Sequence, residues 1–571
     1  MSADGDANEE TKDVSESDAI SPYTLQREEA SETRHAFWAD TVADRVTERN
    51  PEEPIVVKGG ISPSGVPHLG NVNEIMRGYF VAEVLRDRGY EVRQVFTADD
   101  RDPLRKLPRT LCDLEGNLVD LGEVDAGALG RNLGAPYTDI PDPFGCCDSY
   151  GDHFSTIIQD SADAVDVPID MVSNTELYES GEFEDVTRFV LKHRERAREV
   201  LSQYQDKVDK NGDYVPFNPI CEECGKITET VTSVDLDAGD AATVDYECTD
   251  MDAGDQTIDG CGHEGTATLR EGKLPWRFEW PAQWQLLGVD FEPFGKDHAE
   301  GSWPSGQDVA RNVLEIEPPV PMVYEWFTLE GEPFSSSEGN VILVSDVLEL
   351  LEPEVLRYFF AKDPVKARDF SIERLDQLVD EFDRLEATYF GEIEASEDEQ
   401  AFADRVYPFI VDEPRADRIR LPYTFAAVLG MTDDPDLREE IARREGHIPD
   451  DAPKWAVEGA LERVEQARNW ARRTGNEFDY ELKRSEIPDH DFDADTEAAL
   501  AELADFIEDG HDPEAIQGEI YETAKRNDVD VGDFFAAGYR LFFDEEQGPK
   551  LGPFLAKVDR EFVVGRLRRE R

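Results

Sequence analysis

Two small turns, about 265 residues apart along the chain, set the strongest limit on what it can fold into. The first reads Gly59-Gly60-Ile61-Ser62-Pro63-Ser64-Gly65-Val66-Pro67-His68-Leu69-Gly70-Asn71. It follows an apolar, strand-like run from Pro54 to Val57 and opens a helix-like run from Leu69 to Arg88. Small residues there let the backbone approach a ligand closely, and the free N–H groups and dipole of a helix start favour phosphate. The second turn is Pro333-Phe334-Ser335-Ser336-Ser337-Glu338-Gly339-Asn340. Its backbone N–H groups and the hydroxyls of Ser335, Ser336 and Ser337 suit phosphate oxygens, while Glu338 suits a neutralising cation. Two such halves around one nucleotide predict an ATP-using enzyme on a split Rossmann-like sheet. Taken alone, each has a plainer reading: His68 as a structural histidine, the serines as a surface loop.

The rest of the chain fits that division. Residues 1–30 are acidic, Ser-rich and without periodicity, and read as a disordered tail. Residues 31–205 alternate strand and helix signals and form the first half of a catalytic domain. In it Pro54–Ile61 and Glu91–Thr97 read as strands, with a shorter one near Ile169–Val172. Leu69–Arg88, Tyr150–Val165 and Phe183–Tyr204 read as helices, and 110–140 as an irregular excursion. Residues 206–275 break the pattern with four cysteines and a run of Asp and Gly, as an inserted domain would. Residues 276–350 complete the nucleotide fold, and 351–571 read as helical, with Ser371 an expected N-cap for Ser371–Leu385. The predicted class is α/β: a split Rossmann-like nucleotide-binding domain, an inserted zinc-ribbon-like domain and a mostly α-helical C-terminal region.

Composition bears on solvent more than on ligand. Lys and Arg number 58 against 129 Asp and Glu, a formal net charge of −71. Aromatic residues at 10% exclude a disordered-protein reading. A globular surface adapted to concentrated salt fits better, since near 1 M salt the Debye length is only about 3 Å and the acids barely repel. Dialysis to low salt should therefore cost activity and lower the melting temperature; full activity with an unchanged melting point would contradict this. No run of about 18 apolar residues occurs, so no membrane helix is expected. Seven cysteines in 571 residues fit a reducing cytoplasm rather than a disulfide scaffold.

The two turns resemble the HIGH and KMSKS signatures of class I aminoacyl-tRNA synthetases. More narrowly, the chain resembles the archaeal-type class I lysyl-tRNA synthetases. That likeness rests on an ordered set: Gly60 to Gly65, Asp99 to Asp102 with Arg105-Lys106, Ile140 to Gly145, and Pro275-Trp276-Arg277. Trp280-Pro281-Ala282, Gly295 to His298, Tyr324-Glu325-Trp326 and Ser335 to Asn340 complete it. It implies that L-lysine is activated with ATP and Mg²⁺ to lysyl-adenylate and passed to the 3′ end of tRNA(Lys). It implies ATP contacts from Pro67, His68, Gly70, Asn71 and Ser335 to Ser337, with His68, Asn71 and the three serines stabilising phosphate charge. It places Gly60, Ser62, Trp276, His298 and Tyr324 around the amino acid. A carboxylate should complete that pocket; Asp99, Asp100, Asp102 and Glu279 are candidates, with Asp99 placed in the site. Trp280 and Trp284 read as core. Two departures stand out: Asn71 replaces the motif's second histidine, and the usual lysines of the second signature are absent, with Pro333 at its first position and Ser336 at its fourth.

Cys221 and Cys224, with Cys248 and Cys261, supply a tetrahedral thiolate set for a structural zinc, with His263 an alternative to Cys261. Cys112, Cys146 and Cys147 are expected to pack as small buried groups. The clusters Arg357/Lys362/Lys366/Arg368, Arg468/Trp470/Arg472/Arg473 and Arg566/Arg568/Arg569/Arg571 are candidates for RNA contact, or solvated faces paired with the abundant acids. Neither DNA nor a membrane is an expected partner. Competing readings are a glutamyl-type class I synthetase, a free-standing nucleotidylyltransferase and a tRNA-binding relative lacking catalysis. The first would need a cation in the side-chain pocket.

Overall fold

The computed structural model describes residues 19–25, 35–205, 208, 212–237, 242–254, 256–334 and 340–570. Two compact units emerge. The first comprises 1–345, 357–370 and 396–410; the second comprises 346–356, 371–395 and 411–571. The chain therefore passes between them five times between residues 345 and 411 instead of crossing once.

In the first unit five parallel strands form one sheet: β1 (Ile55–Ile61), β2 (Val92–Ala98), β3 (Asp170–Ser173), β4 (Val289–Gly295) and β5 (Val320–Tyr324). Their order is β5-β4-β1-β2-β3. β1 and β2 pair in register from Ile55 opposite Val92 to Ile61 opposite Ala98. Runs such as Val56-Val57 and Val95-Phe96 are buried, as a sheet covered on both faces requires. Helix α1 (Leu69–Asp87) follows β1, and helix α2 (Trp276–Leu287) precedes β4. The strand order reverses between β1 and β4, and a ligand crevice is expected at their carboxyl ends.

Beneath that crevice Lys58 of β1 meets Glu292 of β4 at 2.7 Å, both side chains almost wholly buried. Trp280 Nε1 donates to Glu292 Oε1 at 3.0 Å, and Trp284 Nε1 donates to Glu292 Oε2. The pair is thus hydrogen-bonded as well as matched in charge, the condition for burying ions without a large penalty. Both indoles are buried, as the core reading expects.

Several expectations need correction. Within the tail expected to be disordered, residues 19–25 pack on the first unit: Trp303 Nε1 donates to the Ile20 carbonyl at 2.9 Å, and Ile20 N–H donates to Gln307 at 2.8 Å. Ile20 and Tyr23 give this short stretch apolar side chains to dock. The excursion 110–140 contains a two-stranded ribbon, Thr110–Cys112 with Leu118–Asp120, and a helix Ala126–Arg131. The helix expected from Ser371 begins at Leu375, after a 3₁₀ turn at Ile372–Arg374.

The second unit is helical among its described residues. Its core holds an ion network: Arg463 bonds Asp383 at 2.7 Å and also Glu352, and Arg420 meets the buried Glu386 at 2.7 Å. Arg468 is buried and paired with Asp433, Trp470 is 3% exposed, and Arg566 is fully buried. Arg568 and Arg569 pair with Asp505, Glu508 and Glu497. For these residues acid pairing and packing account for the arginines. Residue 571 lies outside the described residues.

Candidate active site

A cavity of about 690 Å³ opens at the carboxyl ends of β1, β4 and β5. Gly60, Ser62, His68, Gly70, Asn71, Asp99, Trp276, His298 and Tyr324, all expected site residues, border it. Pro67 borders a neighbouring cavity instead. Ser335, Ser336 and Ser337 lie outside the described residues; Pro333 and Phe334, which precede them, line the main cavity. Among the described residues no Lys or Arg lines it. A side chain at Gly60 would run into Thr97 Oγ1, so glycine is what lets β1 end against β2 here.

The start of α1 is tightly specified. His68 is its N-cap: Nδ1 accepts from Gly70 N–H at 3.1 Å, while Asn71 Oδ1 accepts from His68 N–H at 2.8 Å. Asn71 is thereby a capping residue first, its side-chain oxygen taken up by the backbone of His68. An accepting Nδ1 leaves the ring proton of the neutral imidazole on Nε2. Burial pulls the His68 pKa down to about 4, so the ring is an uncharged donor at neutral pH. It stacks on Phe334, centroids 5.0 Å apart. Leu69 N–H donates to the Ile342 carbonyl at 2.9 Å, tying the helix start to the strand-like stretch beyond the second turn.

The four candidate carboxylates separate by their partners. Asp100 accepts from Thr175 N–H at 2.8 Å and does not border the cavity. Glu279 is fully buried, accepting from Lys273 at 2.8 Å and Tyr178 at 2.9 Å. Asp102 borders the cavity but is bonded by the same Lys273 and by Ser62 at 3.1 Å. Burial alone would lower the Lys273 pKa; Asp102 and Glu279 outweigh it and raise it. Asp99 alone combines access to the cavity with purely neutral hydrogen-bond donors: Asn174 at 2.8 Å and Gln283 at 3.0 Å, both onto Oδ1. Burial, then the nearby Asp102, raises its pKa to about 6.

Sequence reasoning missed Glu74. It accepts from Gly60 N–H at 2.8 Å and from Tyr324 Oη at 3.0 Å, and it borders the cavity. Burial pushes its pKa up to about 8 against the pull of the Gly60 N–H. The available signal was an acid between Asn73 and Ile75 in the second turn of the helix that follows the first motif. Trp276 stacks on Trp280 at 5.5 Å and lies 6.1 Å from His298, forming an aromatic wall.

In the insert, strands Val231–Asp235, Thr243–Glu247 and Glu264–Thr268 form an antiparallel sheet beside the cysteines. Cys221–Cys261 and Cys224–Cys248 are each 3.6 Å apart, and all four sulfurs lie within 4.8 Å of one another. Tetrahedral thiolates at about 2.3 Å from zinc are separated by about 3.8 Å, so the set fits. His263 instead meets Glu222 at 3.0 Å. The expectation that Cys146 and Cys147 are buried is wrong: Cys146 is exposed and Cys147 half-buried. Their Sγ atoms gather with Asp142 and His153 within 4.8 Å. His153 Nε2 meets the Cys112 carbonyl at 2.8 Å, leaving Nδ1 for the cluster. Cys112 is buried as expected.

A family profile described as tRNA synthetases class I (K) matches residues 36–410. A lysine–tRNA ligase of Haloarcula marismortui is 72% identical over 96% of this chain and 99% of its own length. One from Halobacterium salinarum is 74% identical over 94% and 97%. One from Pyrococcus horikoshii is 33% identical over 93% and 99%.

Proposed function

This chain belongs to the class I lysyl-tRNA synthetases, and we propose accordingly that its cavity activates L-lysine with ATP and that the lysyl group passes to tRNA(Lys). The lysine carboxylate attacks the α-phosphorus; a new P–O bond forms, the α–β bridging bond breaks, and pyrophosphate leaves with the electron pair. The terminal ribose hydroxyl of tRNA then attacks the acyl carbon and AMP departs. A carboxylate is already a nucleophile, so the first step needs no general base. The protein supplies positioning, worth up to about 7–11 kcal/mol, and stabilises phosphate charge. His68 donates Nε2–H to the phosphate oxygens; the N–H groups of His68, Leu69 and Gly70 are taken up within the protein, so the start of α1 adds its dipole and no further donor. Mg²⁺ comes with the nucleotide, held chiefly by phosphate oxygens and water.

The observation that carries the amino-acid assignment is the charge of the cavity wall. Among the described residues it presents Asp99 and Glu74, held only by neutral donors, together with Asp102 and Asp297, and no Lys or Arg. The lysine side-chain ammonium meets the Asp99 carboxylate, and Trp276 and Tyr324 suit its apolar stem. A glutamate side chain would find no cation there. The test is pyrophosphate exchange and tRNA charging with each amino acid separately, in concentrated potassium chloride. Lysine alone should support both; dependence on glutamate would overturn the assignment.

In the helical unit Arg472, Phe478, Tyr480 and Lys483 border a cavity of about 250 Å³, but Asp479, Glu481, Asp544 and Glu545 line it too and Lys483 pairs with Glu481, so the cations there are matched by acids. Zinc in the Cys221/Cys224/Cys248/Cys261 set would staple the insert beside its small apolar cluster of Phe217, Val244, Tyr246 and Leu269. The donors Asp142, Cys146, Cys147 and His153 fit a second ion. Metal analysis should find two zinc ions per chain, one lost in Cys221→Ser and the other in Cys146→Ser. A fully active, metal-free protein would refute both.

A further inference from the structure

Neither turn beside the cavity brings a lysine or arginine to it. Residues 59–71 contain none, and 327–345 contain none but do contain Glu330, Glu332 and Glu338. A nucleotide triphosphate there would meet acids without a compensating cation. The cations lie next door. A second cavity, of about 370 Å³, shares Ile61, Ser62, His68 and Asn71 with the first, and Arg105, Lys106 and Arg109 line it. All three are exposed. Three cations in five residues stand out in a chain with 129 acids and 58 cations.

The segment that carries them is firmly held. Leu104 is buried, and its N–H and carbonyl bond the Ala135 carbonyl and Gly134 N–H, each at 2.9 Å. Leu104 and Leu111 share one apolar cluster with Val66 of the first turn and Leu343, which follows the second. Gly116, in the ribbon after Arg109, packs against Ser345. One rigid strip therefore joins the anchors of both turns and carries its charges beside His68.

We propose that Arg105, Lys106 and Arg109 form a subsite for phosphoryl oxygens at the pyrophosphate end of ATP, supplying the charge that the second turn lacks. This rests on the reading that the cavity forms an adenylate. As the α–β bridging bond breaks, the leaving oxygen takes the electron pair, and fixed cations stabilise it without any proton transfer. Arginine suits this because its donors form a fork matched to phosphate.

The test compares wild type with the double variant Arg105→Ala/Lys106→Ala and its charge-keeping counterpart Arg105→Lys/Lys106→Arg. Pyrophosphate exchange is measured with lysine and tRNA saturating, and transfer to tRNA is measured separately from supplied lysyl-adenylate. A lysine-induced rise in melting temperature confirms the fold. The alanine pair should raise KM for pyrophosphate and lower exchange kcat/KM on the order of 10–100-fold. Transfer should be unchanged, and the charge-keeping pair should recover most of the exchange. Unchanged exchange, or a loss in transfer equal to that in exchange, overturns the proposal; the latter would mean that tRNA phosphates use the site. A wild-type protein with no lysine-dependent exchange would instead sink the underlying reading of the cavity.

Discussion

Replacing His68 by alanine is expected to slow lysine-dependent pyrophosphate exchange by about 10²–10³-fold, the usual effect of losing one donor aimed at developing charge. Lysine binding should survive, because His68 lies at the helix start and not among the carboxylates. Wild-type exchange should show no His68 titration between pH 6 and 8. An ordinary histidine, near 6.5, would lose a charge as pH rises through that window, whereas burial has already placed this pKa at about 4. His68→Ala also removes the acceptor for Gly70 N–H, which should cost about 1 kcal/mol of stability. His68→Asn separates the two effects: its oxygen restores the cap, but its shorter side chain should leave exchange slow. Exchange within a few-fold of wild type for the alanine variant would exclude His68 from phosphate stabilisation.

Asp99→Asn should raise KM for lysine by about 10²–10³-fold, since an ammonium placed in a desolvated pocket without its counter-charge costs about 3–5 kcal/mol. KM for ATP should hold. The substitution is nearly isosteric, and its oxygen still accepts from Asn174 and Gln283, so the fold should survive. The sign of the pH effect follows from the raised pKa of about 6. Below it Asp99 is protonated and cannot meet an ammonium; above it the carboxylate is available. Lysine affinity should therefore climb as pH rises from 5 to 7 in the wild type, and Asp99→Asn should flatten its Asp99-dependent part. An unchanged KM for lysine would move the recognition to Glu74, testable with Glu74→Gln.

The sheet and the place of the first turn could be read from the chain because each follows from local pattern. Val and Ile runs that end in Gly-Gly, followed by a capped helix, leave little freedom. Some boundaries moved by one or two residues, as at Leu69–Asp87, but the helix expected from Ser371 begins at Leu375 and the one expected over Phe183–Tyr204 is two, Glu184–Lys192 and Arg194–Leu201. What could not be read depended on partners distant in sequence. Asp99, Asp100, Asp102 and Glu279 look alike as letters; Lys273 and Thr175 decide which of them remains available. Nothing near Glu74 in sequence marks it, because the group that closes over it, Tyr324, lies 250 residues later. Cys146 and Cys147 were judged by the average cysteine, which is buried, whereas Asp142 and His153 hold theirs near the surface. Ile20 and Tyr23 were hidden inside an acidic tail whose average composition masked two good anchors.

The hydrogen bond from Leu69 to Ile342 makes the two halves of the nucleotide site answerable to one another. If the downstream stretch swung away to release product, Leu69 N–H would be left without its acceptor. Opening thus carries a built-in restoring force, and the amide of Leu69 becomes a reporter: its hydrogen exchange in the presence and absence of ATP counts how often the two halves part.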